Sequence, residues 1–381
     1  MPLMTLADFH ATAKSDATKL VFELIAGRLD PTDPTRRMPQ PPLPALSAEE
    51  KQTFNAWLSA GAVAAATACP ITVEDLTAVQ SDGDMPSLGM SGVGGAHIEP
   101  IEYNDPDMVC YKFLTHAQGD KGAPYVQGLG EQYVNFDFAA PWTGTVYERA
   151  TKLANDPNSR VIHHWLLFKQ SRAVTDGAIA PGSGVHPDGT LVHAWGPGAS
   201  PLYFDPDVGV PLEDTVGYRL EAHFNNSAGG PGEDHSGAEV CVTPHAPEHI
   251  AELVWVGSDA ITGTSATGNC SPRGPFPIHI IAAQPHMHKL GIHMKVTVNR
   301  AAGGADVVHD EDFSFDTQQY YVKDFTLESG DSLTTQCSYS GFATFGSSTS
   351  NEMCYFFSLA WPAGSLRGGS GALIHGPNSC L

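Results

Sequence analysis

Five histidines in three short segments combine a residue type and a spacing that suit a metal ion. Two of them, His286 and His288, form an H-x-H pair at the end of "FPIHIIAAQPHMH", residues 276–288. If this segment is a strand, alternate side chains share a face, and the two rings lie about 7 Å apart along it. That face would also carry Ile278, Ile280, Ala282 and Gln284. The pair is therefore a candidate for binding one ion, and an incidental pair on a strand surface is the alternative.

The segment "VIHHWLLF", residues 161–168, contains His163 and His164 in an otherwise apolar run that is typical of a buried strand. Burying an imidazole costs free energy unless its polar atoms find partners. Neighbouring side chains of an ideal strand point to opposite faces, so both rings can bind one ion only where the backbone twists or bulges. The alternative is one core histidine and one surface histidine.

The segment "YRLEAHFNN", residues 218–226, alternates between apolar and polar side chains. The polar face carries Arg219, Glu221, His223 and Asn225. Period-two alternation is typical of a strand with one buried face. We therefore expect His223 on a face that meets water or a cleft, and a surface histidine is the alternative.

A methionine near the C-terminus could add a thioether to this set. Met353 lies in "NEMCYFF", residues 351–357, where a methionine is most often a core residue. Its neighbour Cys354 and the earlier Cys337 flank a loop rich in Gly, Ser and Thr. A disulfide between these cysteines would fix the position of Met353.

The rest of the chain supplies short strands to position these residues. It has 381 residues with 39 Gly and 29 Pro, and strand-like segments recur between turn signals after about residue 101. The sequence predicts a mainly β fold with two consecutive antiparallel β-sandwich domains, jelly-roll-like, preceded by a small α-helical segment. We expect the helical segment over residues 1–66, a Gly-rich linker over 67–100, and the sandwiches over 101–247 and 248–381.

Charge and cysteine content restrict the partners and the compartment. The formal net charge of -22 disfavours nucleic acid, and no apolar run approaches the roughly 20 residues that span a bilayer. The chain has seven cysteines without a C-x-x-C pair, a pattern that suits disulfides in a secreted or periplasmic protein. No signal peptide is visible at the N-terminus, so we expect that an export signal lay upstream.

The order His-His, His, His-x-His and Glu-Met-Cys resembles the copper type II, ascorbate-dependent monooxygenases, the family of peptidylglycine α-hydroxylating monooxygenase and dopamine β-monooxygenase. The matching stretches are "VIHHWLLF", "EAHFNN", "QPHMHKLG", "TTQCSYS" and "NEMCYFF", within residues 100–381. The resemblance implies one copper on His163, His164 and His223, which stores and delivers an electron. It implies a second, catalytic copper on His286, His288 and Met353, where dioxygen reacts with an aliphatic C–H bond.

The same resemblance implies three disulfides, Cys110–Cys241, Cys270–Cys380 and Cys337–Cys354, and leaves Cys69 unpaired. Sequence alone allows 15 pairings of six cysteines, so this choice rests on the family. Ascorbate supplies the electrons in the family, and dioxygen is the co-substrate.

The sequence departs from the peptidylglycine enzymes where they bind the substrate carboxylate. Their Arg, Asn and Tyr correspond to Gln284, Tyr355 and Phe357, so the bidentate guanidinium is missing. We expect these three residues to contact a more neutral or aromatic substrate. Glu221 replaces a frequent Gln two residues before His223, and its carboxylate could lower the potential of the three-His copper or orient a ligand.

The N-terminal segment "MPQPPLPALSAEEKQTFNAWLSAGA" resembles the C-terminal half of a c-type cytochrome domain. In that family the loop methionine, here Met38, is an axial haem ligand. The haem-attachment motif is absent from this chain, so a haem is expected only if an upstream segment is missing. In that case a cytochrome could replace ascorbate as the electron donor.

Three functions compete at this stage. The first is a two-copper monooxygenase that hydroxylates an aliphatic or benzylic C–H bond. The second is a secreted copper-binding protein that retains the ligands without turnover. The third is a structural pair of β-sandwiches with incidental histidines.

Overall fold

The computed structural model describes residues 10, 12–13, 16–29, 48–62, 94–183, 188–226, 230–368 and 377–381. The chain divides into two compact units, residues 1–88 and 89–381, which are described separately. Met38 and Cys69 lie outside the described residues, as does the linker up to residue 93. The expectations for these residues stay predictions.

The first unit contains two short strands and two helices. Strands β1 (Thr12–Ala13) and β2 (Asp16–Leu20) form an antiparallel pair, and helices α1 (Val21–Leu29) and α2 (Ala48–Ser59) follow. Helical spacing over residues 7–29 predicts a helix, and this is wrong for residues 12–13 and 16–20, where β1 and β2 pair with each other. Gly61 follows α2 with a φ of 87°, a left-handed conformation that suits glycine and ends the helix.

In the second unit, a five-stranded and a seven-stranded sheet form the first sandwich. The five-stranded sheet contains, in spatial order, β10 (Gly189–Trp195), β8 (Ile162–Gln170), β13 (Gly217–Asn226), β6 (Gly130–Ala139) and β9 (Ile179–Pro181). The seven-stranded sheet contains β16 (His249–Ile250), β12 (Val208–Glu213), β7 (Thr145–Ala154), β11 (Leu202–Phe204) and β3 (Ala96–His97), with β15 (Gly237–Thr243) on β7 and β4 (Val109–Leu114) on β15. A separate pair joins β5 (Tyr125–Gln127) to β14 (Gly232–Asp234).

The second sandwich is built from a five-stranded and a four-stranded sheet. The five-stranded sheet contains β22 (Tyr321–Leu327), β19 (Ile278–His286), β24 (Tyr355–Trp361), β17 (Glu252–Gly257) and β25 (Ser379–Cys380). The four-stranded sheet contains β18 (Thr262–Cys270), β23 (Ser332–Thr344), β20 (Gly291–Asn299) and β21 (Ala305–Asp312). The predicted mainly β class with antiparallel sandwiches is confirmed.

The sheet containing β19, β24 and β17 is buried on both faces. On one face, Val254 and Phe356 belong to the core that this sheet shares with the four-stranded sheet. On the other face, Trp255, Phe357 and Leu359 belong to an apolar cluster that continues into the core of the first sandwich. This explains why these strands are apolar without alternation. It also means that the two sandwiches share one continuous apolar cluster.

Two segments near the predicted boundaries belong to the first sandwich. Strand β3, which lies in the predicted linker, pairs with β11, and the carboxylate of Asp205 accepts hydrogen bonds from Gly95 N (2.7 Å) and His97 Nε2 (2.7 Å). Strand β16, just after residue 248, pairs in parallel with β12. The first sandwich therefore includes a few residues beyond both predicted boundaries, because backbone pairing places these short strands in its sheet.

Three disulfides join the pairs that the family resemblance implies, Cys110–Cys241, Cys270–Cys380 and Cys337–Cys354. Disulfides persist in oxidising compartments, so they favour a secreted or lumenal protein. Among the helices of the described residues, none is long and apolar enough to span a membrane.

Glu148 on β7 generates a prediction about stability. Its carboxyl group is fully buried, and burial raises its pKa from 4.5 to about 7, although a hydrogen bond from the Thr151 hydroxyl opposes the rise. Between pH 4.5 and about pH 7 the carboxyl group of Glu148 is deprotonated in the unfolded chain but protonated in the folded chain. The free energy of unfolding therefore falls as pH increases through this range. At about 1.4 kcal/mol per pH unit, the loss by pH 7 is about 3 kcal/mol.

We therefore expect Glu148→Gln to flatten the decline of the unfolding free energy between pH 4.5 and pH 7. Urea denaturation at a series of pH values measures this slope. Glu233→Gln, at an exposed carboxylate on β14, is the matched control and should keep the wild-type slope. Equal slopes for wild type and Glu148→Gln would contradict the prediction.

Candidate metal centres

His163 and His164 face the same side because the ladder between β8 and β13 is irregular at this point. His223 is paired with His164, but the next residue, Phe224, is paired with Ile162. His163 is therefore an extra residue on β8, a β-bulge that turns its side chain toward its neighbours. The local bulge that two adjacent ligands would require is present.

The three imidazoles of His163, His164 and His223 converge through one ring nitrogen each. The Nδ1 atom of His164 lies 3.2 Å from Nδ1 of His163 and 3.4 Å from Nδ1 of His223. The opposite nitrogen of His223, Nε2, donates a hydrogen bond to Glu131 at 2.9 Å, and the ring stacks on Tyr133 with a centroid distance of 4.2 Å. Glu131 thereby fixes the proton on Nε2 and leaves Nδ1 as an acceptor.

His286 and His288 are held through their Nδ1 atoms instead. Nδ1 of His286 donates to the side-chain oxygen of Gln318 at 2.8 Å, and Nδ1 of His288 donates to the carbonyl of Asn351 at 3.1 Å. The lone pair therefore lies on Nε2 in both rings. Nε2 of His288 is buried and has no hydrogen-bond partner among the described residues, so it is an orphaned acceptor.

The strand that carries this pair differs from the ideal alternation. Strand β19 has a register shift at Ile281 against both β22 and β24. Ile278 and Ile280, before the shift, lie in the inner core of the second sandwich, whereas Ile281 and Ala282 lie in the apolar cluster shared with the first sandwich. The prediction that Ile278 and Ile280 share a face with His286 is wrong, because the bulge reverses the facing of every later residue.

Burial keeps all five imidazoles neutral. With burial as the main cause, the pKa of His163, His223 and His288 is lowered to about 4 and that of His286 to about 3; neighbouring imidazoles contribute at His223, His286 and His288. The pKa of His164 is lowered well below its usual value for the same reasons. Neutral imidazole is the form that coordinates a metal ion.

Met353 is fixed by its neighbours on both sides. Cys354 is bonded to Cys337, and the Tyr339 hydroxyl donates to the Met353 carbonyl at 3.1 Å. The buried carboxylate of Glu352 accepts from the backbone N–H groups of His288 (2.8 Å) and Leu290 (2.6 Å). The methionine segment is thus tied to the segment that carries His288. The Met353 side chain is 7% exposed and belongs to the apolar cluster shared by the sandwiches.

The two groups of histidines are neighbours across the sandwiches. The ring centroids of His164 and His286 are 6.0 Å apart. Phe315 stacks on His163 at 4.4 Å and lies 6.3 Å from His288, so its half-buried ring touches both groups. Lys289 lies over the same ring, with Nζ 5.9 Å from the centroid.

The three predicted substrate residues are buried, and their polar atoms are engaged within the protein. The Gln284 amide donates to the Gln318 carbonyl at 3.0 Å, and the Tyr355 hydroxyl donates to Asp259. Phe357 stacks on His286 at 5.3 Å. In this structure Phe357 packs against His286, and none of the three residues lines an open surface. Their contact with substrate stays a prediction.

Glu221 is also buried, although the sequence places it on the polar face of β13. Its carboxylate accepts a hydrogen bond from the Ser183 backbone N–H at 3.1 Å, and His223 on the same face is fully buried. This face is therefore buried at Glu221 and His223, so the expectation that it meets water is wrong at these two residues.

Comparison with known proteins shows which family this chain resembles. Residues 259–368, which include His286, His288 and Met353, match the family model described as copper type II ascorbate-dependent monooxygenase, C-terminal domain. The predicted resemblance to this monooxygenase family is confirmed. DBH-like monooxygenase protein 1 of Gallus gallus is 26% identical over 249 residues, covering 55% of this chain and 41% of the relative. The Mus musculus protein of that name is 27% identical over 244 residues, covering 54% and 40%.

The chain spans about two fifths of the length of these curated relatives of the monooxygenase family. Among solved structures, the glycosylasparaginase PNGase F of Flavobacterium meningosepticum aligns with 66% of this chain and 94% of its own. The TM-score is 0.31 and the identity 10%, too low to inform fold or function.

The donor atoms fit the copper on which this monooxygenase family depends. Imidazole nitrogens about 2.0 Å from a metal ion lie about 3.3–3.5 Å apart in trigonal or tetrahedral sites, close to the 3.2 and 3.4 Å spacings of the three Nδ1 atoms. Imidazole suits both oxidation states of copper, and a thioether favours Cu(I). Nε2 of His288, which has no hydrogen-bond partner among the described residues, is a further atom that could donate its lone pair to a metal ion.

Three residues that orient these histidines are not predicted from the sequence. Glu131 and Gln318 bond directly to His223 and His286, and the Asn351 carbonyl bonds to His288. Glu131 and Gln318 are single polar residues in a loop or at a strand end, with no motif around them. Only Asn351 carried a signal, because it lies two residues before Met353.

Copper content tests the three-His group. After reconstitution, the wild-type chain is expected to hold two copper ions and His163→Ala to hold one, measured by elemental analysis. His163 is the least buried of the five imidazoles, so this substitution is the mildest. The control is His245→Ala in the exposed cluster with Asp105 and Asp107, and it should retain both ions. Copper loss in the control, or full occupancy in His163→Ala, would contradict the assignment.

Proposed function

We propose that this chain is a two-copper monooxygenase that hydroxylates an aliphatic or benzylic C–H bond with dioxygen and an external one-electron donor. The observation that carries the proposal is the convergence of the Nδ1 atoms of His163, His164 and His223 beside a second imidazole pair, with 6.0 Å between the rings of His164 and His286. A structural sandwich would gain nothing from burying these rings together, because each neutral ring carries a lone pair that needs a partner.

The proposed ligands are His163, His164 and His223 for one copper and His286, His288 and Met353 for the other. Bound copper would supply one-electron storage at the first site and dioxygen activation at the second. The protein supplies the orientation, because Glu131 and Gln318 set which nitrogen faces the metal. Apolar side chains around Met353 exclude water from the second site.

The proposed approach for substrate lies beside Phe315. This ring contacts both groups of histidines and is half-buried, whereas Gln284, Tyr355 and Phe357 are closed off. An aromatic edge favours a neutral or aromatic substrate, which apolar contact can hold. Ascorbate or a cytochrome would deliver electrons one at a time.

A copper-binding protein without turnover is the second candidate. The burial of Gln284, Tyr355 and Phe357 favours it, because no open substrate surface involves these three residues. Oxygen consumption separates the two candidates, since only the enzyme couples reductant oxidation to a hydroxylated product.

Oxygen uptake with ascorbate, copper and a benzylic substrate tests the enzyme. We expect Met353→Leu to lower substrate-dependent uptake by about tenfold or more, because leucine removes the thioether donor. The side-chain volume is nearly conserved, so the substitution should lower the free energy of unfolding by less than about 1.5 kcal/mol. The control is Met294→Leu, in the inner core of the second sandwich and outside both sites, which should retain activity. Equal activity of Met353→Leu and wild type would contradict the ligand role.

Substrate charge provides a separate test. A peptide ending in glycine should be a poor substrate compared with a neutral benzylic compound, because Gln284 replaces the arginine that binds the carboxylate in peptidylglycine enzymes. Product mass spectrometry, looking for the gain of one oxygen atom, measures both reactions. Turnover of the glycine-extended peptide at the higher rate would refute this specificity.

A further inference from the structure

The carboxylate of Glu131 contacts residues of both sandwiches. It lies on β6 and accepts the hydrogen bond from Nε2 of His223 at 2.9 Å. The same carboxylate accepts from Thr349 of the second sandwich, from the backbone N–H at 3.2 Å and from the hydroxyl at 2.9 Å. The hydroxyl also lies 3.1 Å from the second carboxylate oxygen. Glu131 therefore joins a proposed copper ligand to a loop that contains Thr349, 218 residues after Glu131 in the chain.

That loop, residues 345–352, also supports the other site. Residues 348–351 form a turn, in which the Asn351 backbone N–H donates to the Ser348 carbonyl at 2.8 Å. The Asn351 carbonyl in turn accepts a hydrogen bond from Nδ1 of His288. The loop ends at Glu352, whose carboxylate holds the His288 backbone. Thr349 thus belongs to the same short loop that orients His288 and leads into Met353.

A second contact holds the loop against the three-His group. The Tyr133 hydroxyl donates to the Ser347 carbonyl at 2.6 Å, and the Tyr133 ring lies flat on His223, with an interplanar angle of 5°. His223 is therefore contacted on its face and at Nε2 by two residues that both bind the loop. Thr349 itself is 3% exposed, so its bonds to Glu131 are sheltered from water.

We propose that Thr349 and Glu131 form a bridge through which the loop of the His-His-Met site orients His223 and tunes the copper of the three-His site. The inference rests on the proposed function. Its physical basis is competition for the carboxylate. A carboxylate that accepts from an imidazole N–H increases the basicity of the opposite ring nitrogen. Donors from Thr349 occupy the same oxygens and weaken that effect.

The bridge makes Thr349 and Glu131 positioning residues for a metal that neither touches. Removal of the Thr349 hydroxyl should strengthen the hydrogen bond from His223 Nε2 to Glu131. Nδ1 of His223 should then be a stronger ligand atom for copper, which favours Cu(II) over Cu(I). Removal of the Glu131 charge should do the opposite and lower Cu(II) affinity about 10- to 100-fold, the range for partners of metal-bound histidines.

The experiment uses the full chain with His286→Ala in every protein, so that the three-His copper dominates the Cu(II) electron paramagnetic resonance spectrum. Thr349→Val should shift the copper hyperfine splitting and lower the midpoint potential. Thr349→Ser, which keeps the hydroxyl, should restore both wild-type values. Ser350→Ala is the matched control in the same loop, because Ser350 is exposed and its side-chain hydroxyl bonds only that of Ser348 among the described residues.

A double-mutant cycle assigns the pathway. If the effect passes through Glu131, Thr349→Val has no further effect on the spectrum or potential in the E131Q background. An unchanged spectrum in Thr349→Val, or an equal shift with and without Glu131, overturns the bridge while leaving the proposed function intact. Absence of copper from the wild-type chain overturns the proposed function and the bridge together. Thermal denaturation confirms that each variant is folded.

Discussion

The burial of five neutral imidazoles is the constraint on which the rest of the site depends. A protonated ring is costly to remove from water, so burial lowers the pKa of four of these rings to about 3 or about 4. Each neutral ring then has one N–H donor and one lone pair, and its neighbours decide which nitrogen has which. Glu131 and Gln318 make that choice in opposite senses, Nε2–H in His223 and Nδ1–H in His286. The donor atoms are therefore selected by the protein before a metal ion binds.

Two β-bulges give the ligands their directions. The extra residue at His163 lets two consecutive side chains face His223, and the shift at Ile281 turns His286 and His288 away from the inner core. A regular strand would do neither, since its side chains alternate strictly. Bulges are common next to functional sites because they redirect a side chain without ending the sheet. Here they allow strands that are buried on both faces to present polar ligands in one place.

The mainly β class, the existence of strand β13 and the pairing of cysteines could be predicted, because they follow from period-two patterns or from motif order in a known family. The face of β19 on which Ile278 and Ile280 lie could not be predicted, because a bulge depends on the partner strands and has no signature in the sequence of one segment. The helical spacing of residues 7–29 misled at residues 12–13 and 16–20 for a similar reason, because strand pairing overrode local periodicity. Glu131, Gln318 and Thr349 had no visible signal, because each acts through contacts that only the folded chain creates.

The shared apolar cluster and the polar bridges have different roles in joining the sandwiches. Apolar burial stabilises the contact but is non-directional, so it tolerates small shifts between the two cores. Hydrogen bonds have strict distances and angles, and here they cross the contact at two places, from Thr349 to Glu131 and from Gln318 N to the Pro197 carbonyl at 2.7 Å. Glu131 and Gln318 are also the partners of His223 and His286. A shift between the sandwiches would therefore disturb the partners of His223 and His286 together, so the geometry of the two proposed metal sites depends on how the sandwiches pack.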